Sequence, residues 1–282
     1  MKKVTVRQGI LFFYAFDAIL LVLFIFAFLP LSKKNRPQLR DTALLNPRHA
    51  QDVRAITIAQ GDEAVFLFRE GEYWLGTASA SRKQYCWPAD MQSVAKLLDC
   101  AQKIVTVSVK AESVKNWQAF AVDNENALSL TFYGESDSIF SQLFFGKEDS
   151  LSNTIAFRIL TDAVVYEVDN AIASYLSVDE SFWADPFIIP RCLSPQDSTL
   201  RRGSIQNLAP REGLPVDHSV KKDLSNGASA SFAIYKRDAD YIVIPSFQAN
   251  PAASLEEIKL LEKVNYRYSI SPLTFERLLE EL

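Results

Sequence analysis

Cysteine and histidine are scarce in this chain of 282 residues, which contains three of the former and two of the latter. Cys86, Cys100 and Cys192 are too few and too widely spaced for a disulfide framework or a zinc site. One disulfide can form in an oxidising compartment, and the odd number leaves at least one thiol unbridged within the chain. The composition therefore excludes a disulfide-rich fold and predicts no metal site.

The two histidines lack the sequence context of catalytic histidines. His49 and His218 do not begin an H-E-x-x-H motif, and the chain contains neither G-x-G-x-x-G nor G-x-S-x-G. Both histidines are expected at the surface. The net charge of −4 provides no basic field for nucleic acid. We therefore expect no catalytic residues, no cofactor and no nucleic-acid partner.

Two short motifs resemble parts of enzyme signatures. Gly146-Lys147 lacks the earlier glycine and the following Ser or Thr of a P-loop, so we predict a turn at the end of a strand. The segment Ser93–Lys96 matches S-x-x-K, but its S-D-N and K-T-G partners are missing. We predict that Ser93 and Lys96 lie on the solvated edge of an amphipathic helix.

Aromatic residues are frequent, with four tryptophans and nineteen phenylalanines. They could form a sugar- or peptide-binding wall. Outside the apolar N-terminal run, however, they alternate along predicted strands as core residues do. Core packing is therefore the interpretation that we prefer.

The longest apolar run is Ile10–Leu29. As an α-helix it would rise about 30 Å, enough to cross the hydrocarbon core of a bilayer. Lys2, Lys3 and Arg7 would also suit a secretory signal peptide, but the run exceeds a typical h-region and no A-x-A site closes it. We predict an uncleaved, single-pass signal anchor in the lipid bilayer, with a cleaved signal peptide as the alternative.

Asp17 is the one acidic residue within this run. A carboxyl near the centre of a membrane helix costs about 2.5–3.5 kcal/mol, which the surrounding apolar side chains outweigh. Asp17 and Tyr14 are the candidate site residues, as an intramembrane contact with a polar partner. The alternative is a protonated Asp17 bonded to Tyr14, three residues earlier on the same helix face.

Composition divides the chain into five segments. Residues 1–30 form the cytoplasmic tip and anchor, 31–52 a polar linker and 53–185 a first α+β module. Residues 186–226 form an irregular linker, and 227–282 form a second, diverged partial module. Both modules are predicted to contain short strands that end at Gly or Asp turns.

One hairpin and one helix are well marked in the first module. Gly61-Asp62 is predicted to turn one strand into the next. Pro88 and Asp90 mark the start of a helix. Helical spacing places its apolar side chains on one face, at Met91, Val94, Ala95, Leu98 and Ala101.

The C-terminal stretch also suggests an internal repeat. Ser129–Glu180 overlays Ser231–Leu282 without a gap at an offset of 102 residues, with several identities and conserved apolar positions. The segment Ser254–Glu257 has the form of a capping box, but its counterpart in the first copy reads as a strand. We therefore predict a strand over Glu257–Leu261 and a common strand order in the two copies.

The region from Val53 onward resembles a known family. The pattern comprises Val53–Ile58, Gly71–Leu75, Pro88–Asp90 and the following helix, Ala127–Tyr133, Phe145–Lys147, Val165–Val168 and Trp183. It resembles the bacterial membrane-anchored proteins grouped as domain of unknown function 4340. The resemblance implies an extracytoplasmic α+β protein, similar to auxiliary components of gliding-motility-type ABC transport systems. It brings no catalytic residues.

These features together predict an α+β protein. It would have one N-terminal transmembrane helix, followed by extracytoplasmic mixed α/β modules rich in short antiparallel strands, with an internal repeat. The basic residues flanking the anchor are nearly balanced, so the cytoplasmic N-terminus rests on the signal-like anchor and on the family resemblance. We expect a location in the bacterial inner membrane, with most of the chain in the periplasm.

The expected role is that of a non-catalytic accessory or scaffold subunit of an ABC-type transport system, with an ABC permease or other envelope proteins as partners. The alternative is an envelope binding module for a peptide or glycan that acts without a transporter. An unrecognised hydrolase is the third hypothesis.

Overall fold

The computed structural model describes Leu20 and residues 38–78, 85–203, 205–206 and 216–281. Apart from Leu20, the predicted anchor Ile10–Leu29 lies outside these residues, and so do Asp17 and Tyr14. In the part of the chain that is described, no helix combines the length and the apolarity needed to cross a membrane. The predicted single-pass, transmembrane and signal-anchor character is corrected on this finding. The sequence criteria test only whether an apolar run is long enough to cross a bilayer if it forms a helix.

The fold class also needs correction, because antiparallel β-sheet predominates. Strands account for 43% of the described residues and helices for 23%. The prediction of an α+β fold gave helices too much weight, since most of the described strands belong to antiparallel hairpins that satisfy each other's backbone hydrogen bonds. This mostly β fold is compatible with an extracytoplasmic domain.

The larger sheet contains ten strands from the described residues, in the order β1-β6-β10-β9-β8-β7-β2-β3-β4-β5. The pairings from β6 to β5 are antiparallel. The strands are β1 (Leu39–Ala43), β2 (Ala55–Gln60), β3 (Glu63–Glu70), β4 (Tyr73–Ala78), β5 (Trp87–Pro88), β6 (Ile104–Ala111), β7 (Leu128–Tyr133), β8 (Ile139–Asp149), β9 (Thr154–Ile159) and β10 (Val165–Asp169).

The smaller sheet contains five strands from the described residues, in the order β11-β15-β14-β13-β12, all antiparallel. They are β11 (Ile205–Gln206), β12 (His218–Asp223), β13 (Ser229–Arg237), β14 (Asp240–Gln248) and β15 (Arg267–Ile270). The α-helices are α1 (Met91–Gln102), α2 (Glu180–Trp183), α3 (Leu255–Lys263) and α4 (Pro272–Glu281), and the 3₁₀ helices are Ala50–Asp52, Val114–Asn116, Gln118–Phe120, Glu135–Asp137 and Asn170–Tyr175.

The sheets follow the predicted modules only approximately. The segment 31–52, predicted as a linker, contains β1, and the segment 186–226 contains both β11 and β12. Residues Asp41–Leu282 form one compact unit. Both sheets contribute to a single hydrophobic core, in which Phe132 from β7 and Phe232 from β13 have no exposed surface.

Two tight turns set the register of the β2–β3–β4 meander. Gly61 and Gly71 lie in two-residue turns with φ of +58° and +59°. Such angles favour glycine, and primed turns of this kind match the right-handed twist of hairpin strands. The turn predicted at Gly61-Asp62 is therefore confirmed. The register places Ile56 and Ile58 in the core, where neither has any exposed surface.

Helix α1 begins as predicted but buries a different face. Asp90 caps it, because its Oδ1 accepts a hydrogen bond from Gln92 N at 3.1 Å. The buried side chains are Val94, Leu97 and Ala101, whereas Met91 is 42% exposed. The predicted buried face was therefore wrong, because the buried side chains are displaced around the helix axis from the predicted ones. Apolar residues surround much of this helix, so its packing against the sheet selects the buried set.

The predicted repeat fails at its third element. The predicted strand Glu257–Leu261 lies within α3, and Ser254 caps this helix by accepting a hydrogen bond from Glu257 N at 3.2 Å. In the larger sheet β9 lies between β8 and β10, whereas β14 pairs directly with β15. The copies therefore differ in strand order. The local capping signal prevailed over the alignment, because the Ser254 side chain satisfies one of the backbone N–H groups that the first turn of a helix leaves free.

The irregular segment after α2 is fixed by a buried carboxylate. Asp185 is 4% exposed and accepts hydrogen bonds from the backbone N–H groups of Phe187 and Arg191, both at 3.0 Å. The Arg191 guanidinium also donates to Asp90 Oδ1 at 2.7 Å. These contacts bind the segment to the start of α1.

Gly76 tests the packing of the larger sheet. A Cβ atom at this position would overlap the indole ring of Trp87, which has no exposed surface. We expect Gly76→Ala to lower the free energy of unfolding by about 1–3 kcal/mol, because the ring or the strand must move. Urea denaturation followed by circular dichroism measures this loss. Alanine should cost less in a Trp87→Phe background, and strictly additive effects would contradict the packing explanation.

Asp197 tests the turn that precedes β13. Its carboxylate accepts hydrogen bonds from Ser194 Oγ at 2.5 Å and from Ser225 N at 2.9 Å. The Ser194 hydrogen bond, followed by that from Ser225 N, lowers the pKa of Asp197. A depressed folded-state pKa contributes stability above the ordinary value, and this is lost as the pH falls through the folded value.

We therefore expect Asp197→Asn to destabilise the protein by about 1 kcal/mol at neutral pH. The difference from the unmodified protein should shrink as the pH falls below about 4, the ordinary pKa of aspartate, and through the lower folded value. Urea denaturation across this pH range measures it, with Asp223→Asn as the control at an exposed position of β12. A pH-independent difference would show that Asp197 stabilises by packing alone.

Candidate binding cleft

The two short motifs that resemble parts of enzyme signatures lie on α1 and in β8. Lys96 is exposed, as predicted, while Ser93 is partly buried and its Oγ donates to Asp90 Oδ2 at 2.8 Å. Gly146 lies inside β8 rather than in a turn, because a bulge follows Phe145 there. Lys147 Nζ donates to the Ala119 carbonyl at 2.9 Å.

The histidines pack against aromatic rings. His49 stacks on Phe140 with ring centroids 4.6 Å apart, and His218 lies 5.1 Å from Phe275. His218 is exposed, as predicted, while His49 is partly buried. Asp17 and Tyr14 lie outside the described residues, so the predicted intramembrane contact stays a prediction.

The candidate site is a cleft of about 900 Å³, built from described parts of the chain that are far apart in sequence. Its described lining comes from the start of β2, the end of β3, the segment before β5, the turn between β7 and β8, and the end of α3. These residues are Arg54, Ala55, Phe68, Arg69, Tyr85, Cys86, Gly134, Glu135, Ser136, Asp137, Glu262, Lys263 and Asn265. We call this concavity the cleft.

Two arginines face each other across one hairpin at the rim of the cleft. Arg69 N donates to the Arg54 carbonyl at 2.8 Å, which continues the β2–β3 register by one position. The guanidinium of Arg54 lies 3.7 Å from Glu135 Oε1, and that of Arg69 lies 3.8 Å from Glu72 Oε2. Both partner carboxylates are more than 80% exposed. Ion pairs this long and this exposed contribute little.

The turn between β7 and β8 forms one wall. Ser136 and Asp137 have φ of +55° and +58°, and Gly134 N donates to the Ser138 carbonyl at 2.8 Å. A Cβ atom at Gly134 would overlap the ring of Phe140. The turn therefore holds the exposed carboxylates of Glu135 and Asp137 at the cleft.

The opposite wall connects the two sheets. Cys86 and Asn265 exchange backbone hydrogen bonds of 3.1 and 2.9 Å, and Lys263 Nζ lies 2.5 Å from Glu70 Oε2. Burial raises the pKa of the Cys86 thiol, while the nearby Lys263 opposes the shift. All three cysteines are free, so the disulfide that the sequence permits is not formed.

Glu180 anchors the strand that borders the cleft. Its carboxylate accepts hydrogen bonds from Tyr85 Oη at 2.7 Å and from Trp87 Nε1 at 2.9 Å. Burial, followed by the hydrogen bond to Glu180, raises the pKa of Tyr85 well above its ordinary value. Tyr85 and Trp87 are 3% and 0% exposed, so this aromatic pair supports the wall and offers no ring face to a ligand.

A second depression, of about 480 Å³, is lined by acidic side chains. Two of them already have structural partners. Glu180 is held by Tyr85 and Trp87, and Asp179 caps α2 by accepting a hydrogen bond from Ser181 N at 2.8 Å. Among the described residues, no three acidic, histidine or cysteine side chains are placed to share a metal ion. The first cleft is therefore the better candidate.

The sequence analysis did not identify any residue of the cleft as functional. A signal was nevertheless present for Arg54 and Arg69, because a two-residue turn at Gly61-Asp62 makes them opposite neighbours. No local pattern predicts that Lys263 and Asn265 approach them, since this depends on how the two sheets pack.

No family model, curated protein or solved structure matches this chain. The resemblance to domain of unknown function 4340 therefore stays a prediction.

Glu180 provides a test of how the cleft wall is supported. We expect Glu180→Gln to lower the free energy of unfolding by about 1–3 kcal/mol, because the amide NH₂ group would face a donor of Tyr85 or Trp87. Urea denaturation measures the loss. Glu148→Gln, at an exposed position of β8, is the matched control and should change little. Equal effects of the two substitutions would contradict the supporting role.

Proposed function

We propose that this protein is a non-catalytic accessory or scaffold subunit of an ABC-type transport system in the cell envelope. The observation that carries the proposal is the open cleft where the two sheets meet. Its described lining offers charged side chains and one thiol whose pKa is raised, which suits binding better than nucleophilic chemistry. The resemblance to domain of unknown function 4340 supports the transport system as the context.

The second candidate is an envelope module that binds a peptide or glycan without a transporter. The size of the cleft favours it, since about 900 Å³ is within the range of small-molecule and peptide sites. The two candidates differ in partners rather than in the use of the cleft. A transport subunit must associate stably with a permease, whereas an independent module needs only its ligand.

Co-purification distinguishes these two functions. The tagged full chain is recovered from envelopes of its native host after mild detergent extraction, and bound proteins are quantified by mass spectrometry. We expect one permease and its ATPase to be enriched together, and a tagged permease to recover this chain in return. A tag-only sample is the control. If the permease is expressed but is not enriched in either direction, the transport role is wrong and the independent module is favoured.

A further inference from the structure

The arginine pair at the cleft is electrostatically unfavourable as it stands. Arg54 and Arg69 are directly opposite across the β2–β3 hairpin, where Cβ atoms lie about 4.5–5.5 Å apart. Like charges in such positions destabilise a hairpin. The side chains of Arg54 and Arg69 are 45% and 26% exposed, and their ion pairs of 3.7 and 3.8 Å are too long for hydrogen bonds. Arg69 Nε donates to the Gly71 carbonyl at 3.0 Å.

A carboxylate placed between the two guanidiniums would remove this repulsion. Guanidinium groups bind carboxylates through two parallel N–H···O bonds, and such charge-assisted bonds are shorter and stronger than neutral ones. Glu135 and Glu72 already approach from the outside, but their side chains are more than 80% exposed and make only these long ion pairs with the arginines. They could yield their places to a ligand at small energetic cost.

The remaining lining restricts which carboxylate ligand fits. Asp137 and Glu262 are exposed acids in the same cleft, and Glu70 pairs with Lys263. These acids would repel a polyanion but would attract a ligand that also carries a cation.

We propose that the cleft binds a peptide segment of mixed charge, with Arg54 and Arg69 together holding one of its carboxylates and with Asp137 and Glu262 facing its cationic group. This inference rests on the proposed function, since it identifies the chemistry of the ligand in the same cleft. The peptide can belong to a partner protein or can be free, and the carboxylate can be a side chain or a C-terminus.

A random peptide library displayed on phage is the probe. It is selected against the purified full chain at an ionic strength of about 0.15 M. We expect enriched peptides to contain both an acidic group and a basic one. Synthetic peptides of these sequences should bind the Arg54→Gln/Arg69→Gln variant at least about tenfold more weakly. Arg237→Gln, at an exposed position at the end of β13, is the matched control and should bind normally.

A gain of binding provides a readout that misfolding cannot imitate. Glu135→Gln removes the carboxylate that competes for Arg54, so the same peptides should bind about 1.5- to 5-fold more tightly. Bound peptide should also slow the alkylation of Cys86, which lines the cleft, and leave Cys100 on α1 unaffected.

Three results would overturn the inference. They are an absence of enriched peptides, enrichment of peptides without an acidic group, and equal binding to the arginine double variant and the control. These results are independent of the co-purification experiment. Peptide binding without a recovered permease would support this inference while rejecting the transport role, and a recovered permease without peptide binding would do the reverse.

Discussion

Left-handed backbone angles at two glycines fix the register on which the rest of the structure depends. Gly61 and Gly71 close two-residue turns with φ near +60°, and a larger residue would be strained there. Once these turns are set, Ile56 pairs with Leu67 inside the core, and Arg54 lies opposite Arg69 at the rim of the cleft. A shift of one residue would turn the whole apolar set toward the other face. The same turns therefore determine both the core and the charged cleft.

Apolar burial, and not ion pairing, holds the two sheets together at this cleft. The Lys263–Glu70 pair is partly exposed, and pairs of this kind contribute at most about 1 kcal/mol. A fully buried Phe side chain contributes about 1.5–3 kcal/mol, and Phe132 and Phe232 occupy the shared core from opposite sheets. Since the fold does not depend on the charges in the cleft, they can exchange partners when a ligand arrives.

Local signals predicted the elements better than long-range patterns did. Asp90 and the Gly61 turn, each read from a few adjacent residues, are where they were expected. The gapless offset of 102 residues failed at α3, where the cap at Ser254 determines a helix. A different correspondence is present along the chain, because the meander β2–β3–β4 is followed, after the short β5, by α1 and β6, and the meander β12–β13–β14 is followed by α3 and β15. The final strand then pairs differently, β15 with β14 but β6 with β10, so order along the chain did not determine the pairing.

The cleft escaped the sequence analysis because it is an outcome of sheet packing. Motifs of catalysis are contiguous or regularly spaced, whereas Lys263 lies 193 positions from the Glu70 that it contacts. Only the arginine pair was accessible, since a two-residue turn makes opposite neighbours of residues at equal distances from it. Its significance is electrostatic. Like charges directly opposite each other destabilise a hairpin, and the packing of the core does not require them. A ligand carboxylate between Arg54 and Arg69 would replace their repulsion by charge-assisted hydrogen bonds, and this difference would favour binding.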